Sequence, residues 1–319
     1  MQAERTGFEA CTEGGGVRLG IVTVTYHPDA AVLRQQMQSL PVEAIKVVVD
    51  NSTDGEVMRR LFELRDETPG LELHCNSANV GLAAALDQGV RALSLRASPP
   101  ALVLLLDQDS VALGAAVAEL IDALEDLEQR GLRPGAVGPG LLDPDTGLMH
   151  GFHCMTRWRW LRVFPSSQQG PVSVANLNGS GTLMRLETYL RFGGLDRELF
   201  IDHVDTEWSF RLLHAGNTLW GVPTAVFRHA MGERGMRVWL LGWRVWPARS
   251  PLRHRYLFRN SVWLMRRDYV PRVWKAWCAI KLALTVVLYC VFSPQRSEQL
   301  KEMSAGVVEA MRKCPRSSA

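Results

Sequence analysis

The chain lacks paired cysteines. Its six cysteines are scattered over 319 residues and fall into no metal-like spacing, which argues against a cysteine-built zinc site and fits a reduced, cytosolic compartment. It also lacks an apolar run near its start. Residues 1–16 carry Glu4, Glu9 and Glu13 and end in Gly14-Gly15-Gly16, so a disordered tail is expected there and a signal peptide is not. There is no internal repeat, which excludes a solenoid. Net charge is a modest +3, and no nucleic-acid recognition motif accompanies the arginines, so nucleic acid is not an expected partner.

What the chain has is a run as apolar as Leu102-Val103-Leu104-Leu105-Leu106 that ends in two acids, Asp107 and Asp109. The run reads as a strand buried on both faces, as in the middle of a parallel sheet. Positions i and i+2 of a strand share a face. Two ionised carboxylates on one side repel unless a cation lies between them. The alternative is a helix start, with Asp109 or Ser110 capping a segment that begins near Ala112. Asp-x-Asp after a buried strand favours a cation or phosphate site, because ligands bind at the carboxyl ends of strands in open α/β sheets.

Three β-α units precede that strand. Leu19–Tyr26, Ala44–Asp50 and Leu71–Asn76 read as strands, and helices are expected from Ala30 to Leu40, up to Glu67, and over the segment VGLAAALDQGVRAL. This alternation predicts an α/β fold, a mostly parallel Rossmann-like sheet with helices on both faces. Its strand ends bring Tyr26, Asp50, Asn76 and Asp107 near one edge. After Gln129 short β-like pieces dominate, followed by a helix over Thr206–His214 and a strand over Leu219–His229. Past His229 the chain is expected to be helical, basic and Trp-rich.

Several stretches occur in the order seen in family 2 glycosyltransferases: IVTVTYHPD, VVVDNSTDG, NSANVGLAAALDQGV, LLLDQDS, NGSGTLMR, FIDHVDTEWSFRLLHAGNTLWGVPTAVFRHAMG and RYLFRNSVWLMRR. The chain most resembles the bacterial rhamnosyltransferase branch, and the likeness runs from about Val17 to Gly306. The resemblance implies a GT-A fold over residues 17–230, with 231–319 as a helical extension. It implies that Thr25, Tyr26, Asp50, Asn79, Gly81 and Asp107 lie around a nucleotide-sugar. It implies that Asp109, with Asp107 and His229, holds Mg²⁺ or Mn²⁺. It places Asp205 as general base, with Glu207 and Arg211 helping to build that site. Two positions depart from the pattern: His27 replaces an Asn, and Val204 replaces a Glu. The second opens Asp202 as an alternative base, although the spacing to Arg211 favours Asp205.

The chemistry of sugar transfer asks for the same groups. A hard cation on oxygen ligands neutralises a departing diphosphate, and a positioned carboxylate takes the acceptor proton. Asp205 could equally be a plain N-cap. Glu207 and Arg211 are spaced to pair across i,i+4. Gly179 and Gly181 allow close backbone approach and Ser180 adds a hydroxyl, in a donor or acceptor loop or in an ordinary hairpin turn. Asn79-Val80-Gly81 could admit a phosphate or merely start a helix. His27, His74, His150, His153 and His203 remain unassigned. The expected activity is an inverting transfer of L-rhamnose from dTDP-L-rhamnose to a lipid-linked or cell-surface polysaccharide. The rivals are a haloacid-dehalogenase-like phosphohydrolase, disfavoured because three β-α units come before the motif, and an inactive scaffold.

Between Arg228 and Lys275 stand twelve Arg or Lys against two acids, Glu233 and Asp268, and six of the ten Trp lie between Trp239 and Trp277. Val273–Phe292 is nearly apolar but contains Lys281, costly in mid-membrane. These features predict peripheral attachment to an anionic surface, at the cytoplasmic face of a bacterial inner membrane, rather than a spanning helix. An internal helix covering the sheet is the alternative.

Overall fold

A strand whose consecutive side chains are all apolar needs a hydrophobic layer on each face. The computed structural model describes residues 19–166, 169–230, 236–239, 243–246 and 248–313. In it Leu102, Leu104 and Leu106 enter one core, while Val103 and Leu105 enter another on the opposite side of the sheet. The tail expected over residues 1–16 lies outside the described residues.

The first half alternates: β1 (Leu19–Thr25), α1 (Ala30–Ser39), β2 (Ile45–Asp50), α2 (Gly55–Glu67), β3 (Leu71–Cys75), α3 (Leu82–Ser94), β4 (Leu102–Asp107). Asp29 and Asp54 start α1 and α2, each accepting two backbone N–H groups from the first turn. The four strands pair in parallel, in the order β3-β2-β1-β4. The helices α1 and α2 cover one face, and α3 covers the other.

The second half carries β5 (Ser110–Ala112), α4 (Ala116–Gln129), β6 (Pro134–Leu142), β7 (Met149–His150), β8 (Phe152–Met155), β9 (Trp160–Val163), β10 (Val172–Val174), β11 (Thr182–Arg185), α5 (Leu186–Arg191), α6 (Val204–His214) and β12 (Thr218–His229). Strand β11 inserts antiparallel between β4 and β6, and β12 runs parallel to β6. The segment after Asp109 is therefore not a capped helix. Ser110–Ala112 pairs antiparallel with β12, which sets Ser110 opposite His229, and α4 starts only at Ala116. That pairing carries His229 from the far end of the chain to Asp-x-Asp.

Past His229 the expected helices are present, with a strand pair added ahead of them. Before any helix comes an antiparallel hairpin, β13 (Met236–Trp239) with β14 (Trp243–Trp246). Each strand carries a single Arg among apolar residues, Met-Arg-Val-Trp and Trp-Arg-Val-Trp. Helices α7 (Pro251–Arg266), α8 (Arg272–Phe292) and α9 (Arg296–Arg312) follow. Trp263, Leu264, Trp274, Cys278 and Ala310 enter the same core as Val22, Val47 and Val103.

The basic cluster has a use that its sequence does not reveal. Arg249 and Arg253 hold Asp202, Arg255 and Arg259 hold Glu309, and Arg267 joins Asp196 to Glu207. Arg266 and Lys275 donate to the carbonyls of Ala310 and Arg267. Arg249, Arg253 and Arg267 thus fasten the C-terminal helices to the sheet-bearing half, while Arg255, Arg266, Lys275 and the Arg259–Glu309 pair tie those helices to one another.

Candidate active site

The end of β4 is tied down from three sides. Gln36, buried on α1, donates to the carbonyls of Asp107 and Ser110 at 2.6 Å each, and its own carbonyl accepts from Thr23. Gln108, between the two acids, accepts the Tyr26 N–H at 2.7 Å. Ser180 accepts the Asp107 N–H and meets the Ser110 hydroxyl. Sequence reading did not single out Gln36 or Gln108. A buried Gln between Leu33 and Met37 was the available signal, since such an amide needs partners.

This turn brings three metal-ligating groups together. Ligand atoms of Asp107, Asp109 and His229 all lie within 4.8 Å of one another. His229 Nδ1 is 3.1 Å from an Asp109 oxygen and 2.9 Å from the Ser110 hydroxyl, and Nε2 is 3.9 Å from Asp107. Burial disfavours charge on His229, but the two carboxylates outweigh it and raise its pKa. Burial and the Asp109 charge raise the Asp107 pKa, although His229 opposes them. Like charges held this close with side chains about a third exposed call for a cation. Two carboxylates and an imidazole suit Mg²⁺ or Mn²⁺ and leave positions open.

The Asn178–Gly181 loop links this group to Asp205. Gly179 faces Asp205, with nothing but its Cβ near, and Ser180 supports the other end as above. Gly181 has φ +82°, and a Cβ there would strike Pro139, so its role is a tight backbone turn. Asp205 is not the N-cap of α6. His203 holds that place in left-handed conformation, without a side-chain cap, and Asp205 lies in the first turn, accepting the Thr206 N–H at 2.8 Å. Burial pushes the Asp205 pKa up to about 6; the Thr206 N–H works against this and Asp107 adds to it.

Asp202 behaves oppositely. It too is buried, but Arg249 and Arg253 overcome the desolvation and hold its pKa below the usual value. Both arginines bond its carboxylate, which is only 6% exposed. That leaves Asp202 as a weak base with its lone pairs engaged.

The other expected residues make the following contacts. Asp50 is buried and accepts from Thr25, from the Ser52 hydroxyl and from the Ser52 N–H, while Ser52 accepts the His27 N–H. Thr25 and Asp50 thus shape the β1 turn from below, and Tyr26 stays half exposed above it. Asn79 closes its own turn by accepting the Gly81 N–H. Gly81, at φ +87°, lies against Phe200, where a Cβ would come within 2.5 Å of the ring. Glu207 is fully enclosed. Its oxygens accept from Arg211 at 2.9 and 2.7 Å and from Tyr269 at 2.5 Å, and Arg267 is 3.1 Å away. Arg211 also holds the Phe192 and Gly194 carbonyls. The pair is buried and ties α6 to the Phe192–Gly194 turn.

No protein-family profile matches this chain. It is 30% identical over 256 residues to the dTDP-rhamnosyl transferase RfbF of Shigella flexneri, covering 78% of this chain and 80% of the relative. The structure of GalNAc-T7 with UDP, GalNAc and Mn²⁺ matches 93% of this chain at TM-score 0.56 and 16% identity; this chain spans 57% of it. The mannosyltransferase PcManGT from Pyrobaculum calidifontis, in complex with GDP-Man and Mn²⁺, matches 92% of this chain and 87% of its own at TM-score 0.54 and 15% identity. Fold and relatives together define a glycosyltransferase of the GT-A fold. That result removes the phosphohydrolase and scaffold rivals. The chain belongs to family 2 of the glycosyltransferases, in the rhamnosyltransferase branch.

Proposed function

We propose that this enzyme moves L-rhamnose from dTDP-L-rhamnose, with inversion, to a hydroxyl of a lipid-linked or cell-surface polysaccharide acceptor. The observation that carries the proposal is the convergence of Asp107, Asp109 and His229 at the carboxyl end of β4, close enough to Asp205 for Asp107 to raise its pKa. Asp109, Asp107 and His229 would hold Mg²⁺ or Mn²⁺. When bound, the cation neutralises charge on the leaving diphosphate, a contribution of several kcal/mol. Tyr26, exposed above the Thr25–Asp50 support, flanks the nucleotide.

Asp205 is the base. A carboxylate with pKa near 6 is mostly ionised at neutral pH yet basic enough to accept the acceptor proton as the new bond forms. Gly179 leaves room for that hydroxyl. Glu207, Arg211, Ser180, Asn79 and Gly81 fix the geometry without touching the reacting atoms. In this reading residues 17–230 are the catalytic domain, and residues 231–319 are an extension fastened to it by the arginine network.

The enzyme would work as a peripheral protein at the cytoplasmic face of the inner membrane. Helix α8 supports this. It is long and apolar enough to cross a membrane, with 22% of its apolar window buried. Yet it buries Trp274, Cys278, Thr285, Leu288 and Tyr289 against the body and leaves Ile280, Val287 and Val291 exposed as a stripe along the opposite side. One face held by protein and one apolar face outward suits an interfacial helix.

The test is nucleoside diphosphate release from a panel of nucleotide sugars with Mg²⁺ or Mn²⁺. The expected result is dTDP release from dTDP-L-rhamnose, abolished by chelator and far slower with UDP- or GDP-linked sugars. Release from every donor but this one would reject the rhamnose assignment.

A further inference from the structure

The chain enters α6 through an unusual backbone. Phe200, Asp202 and His203 all have positive φ, at +62°, +59° and +66°. Asp and His tolerate this region better than most residues, but a bulky Phe does not. The Ile201 N–H bonds the Leu199 carbonyl at 2.7 Å across Phe200, whose φ and ψ of +62° and −63° make a γ-turn of the rare, strained kind. Such a backbone persists only where its surroundings hold it. Asp205 stands two residues past its end.

The hold comes from α7. Asn260 is fully buried, and its amide nitrogen donates to the carbonyls of Leu199, Ile201 and Asp202 at 2.8, 2.7 and 2.9 Å. Its own oxygen accepts from Arg259 Nε at 3.0 Å. Three acceptors on one side and a donor on the other fix the orientation of the amide. The Ser261 hydroxyl, also buried, meets His203 Nε2 at 2.9 Å. The Phe200 carbonyl accepts the Leu82 N–H at 2.6 Å, and its ring stacks on Tyr256 with centres 4.8 Å apart.

Helix α6 begins where this held segment ends. The His203 carbonyl accepts the Glu207 N–H at 2.9 Å, but His203 gives α6 no side-chain cap. A cap would set the start of the helix locally. Here the start is set by an amide 58 to 61 residues further along the chain. The place of Asp205 beside Gly179 thus depends on the carbonyls that Asn260 holds.

We propose that Asn260, with Ser261 beside it, is a positioning residue for sugar transfer: the two hold the Leu199–His203 turn so that it delivers Asp205 to the cleft. The inference rests on Asp205 being the base. Neither residue touches the reacting atoms, and both act through Asp205.

The experiment follows dTDP release from dTDP-L-rhamnose by the full-length protein, with Mn²⁺ and with water as acceptor, beside dTDP affinity. Asn260→Ala should slow release about 100-fold and Ser261→Ala several-fold, with dTDP affinity in Mn²⁺ unchanged in both. The decisive readout is a double-mutant cycle. Placed in Asp205→Asn, neither substitution should slow release further, because the base they position is gone. A role confined to stability would slow release by the same factor in both backgrounds, or in neither, and either result overturns the proposal. If Asn260→Ala does not fold, the Ser261→Ala cycle decides in its place by the same criteria. Failure of the base assignment would look different. Near-normal release by Asp205→Asn removes that assignment and this inference with it, whereas a slow Asp205→Asn slowed further by Asn260→Ala overturns this inference alone.

Discussion

Asp202 and Asp205 are three residues apart and tuned in opposite directions. Two arginines claim the first, while burial and a neighbouring acid lift the second to about 6. Asp205→Asn should cut turnover about 10²–10⁴-fold while leaving dTDP affinity in Mn²⁺ unchanged; a loss of donor affinity instead would move this residue into the donor site. Turnover should fall as pH drops through about 6, with the limb shifted lower when the cation offsets Asp107. The same shift affects stability. A raised carboxyl pKa stabilises the fold fully below the unfolded value of 3.8, and that stability is lost as pH rises through about 6. Asp205→Asn should therefore raise the melting temperature at pH 7.5 and barely change it near pH 3.5; melting curves at the two pH values check this. The acids themselves were legible in the sequence, because Asp-x-Asp after a buried strand and an acid before Glu-x-x-x-Arg are local patterns. The sequence favoured Asp205 over Asp202 only through the spacing to Arg211; the opposite tuning of the two was not legible, because it depends on Arg249 and Arg253, more than forty residues away.

At the scale of elements, the glycines divide by what they touch. Gly179 opens space beside Asp205, whereas Gly81 makes room for Phe200 and takes a positive φ. Gly81→Ala should lower the melting temperature markedly in the absence of any ligand. If instead it melted like wild type and lost only nucleotide affinity, Gly81 would be a ligand-contacting residue. The hairpin β8–β9 and the outer side of α8 lie together through Trp160 and Trp277. Trp158, in the β8–β9 turn beside Arg157 and Arg159, is 78% exposed, and Phe164, just after β9, is 66% exposed. The double variant Trp158→Ala, Phe164→Ser should bind phosphatidylglycerol vesicles several-fold more weakly in a pelleting assay. Equal pelleting would detach membrane binding from this surface. The β-α alternation up to β4 was readable because each unit is built from contiguous, periodic residues. Hairpin β13–β14 was missed because its strands are only four residues each, too short for a period to show.

For the molecule as a whole, one core joins parts that composition separates. Trp263 and Trp274 from the C-terminal helices pack with Val22 and Val103 from the sheet, so the basic, Trp-rich segment is structural. The insertion of β11 beside β4 and the pairing of β5 with β12 could not be read from any window of sequence, since strand order is decided by contacts from 77 to 119 residues apart. Those two pairings are what set Ser180 and His229 against Asp107 and Asp109. The central claim, that this junction binds a cation which in turn holds the nucleotide diphosphate, is tested most directly by titrating dTDP into the full-length protein with and without Mn²⁺. Wild type should bind tightly only with Mn²⁺. Asp109→Ala should fold normally but lose the cation-dependent part of the affinity. Equal Mn²⁺-dependent affinity in wild type and Asp109→Ala would contradict the account.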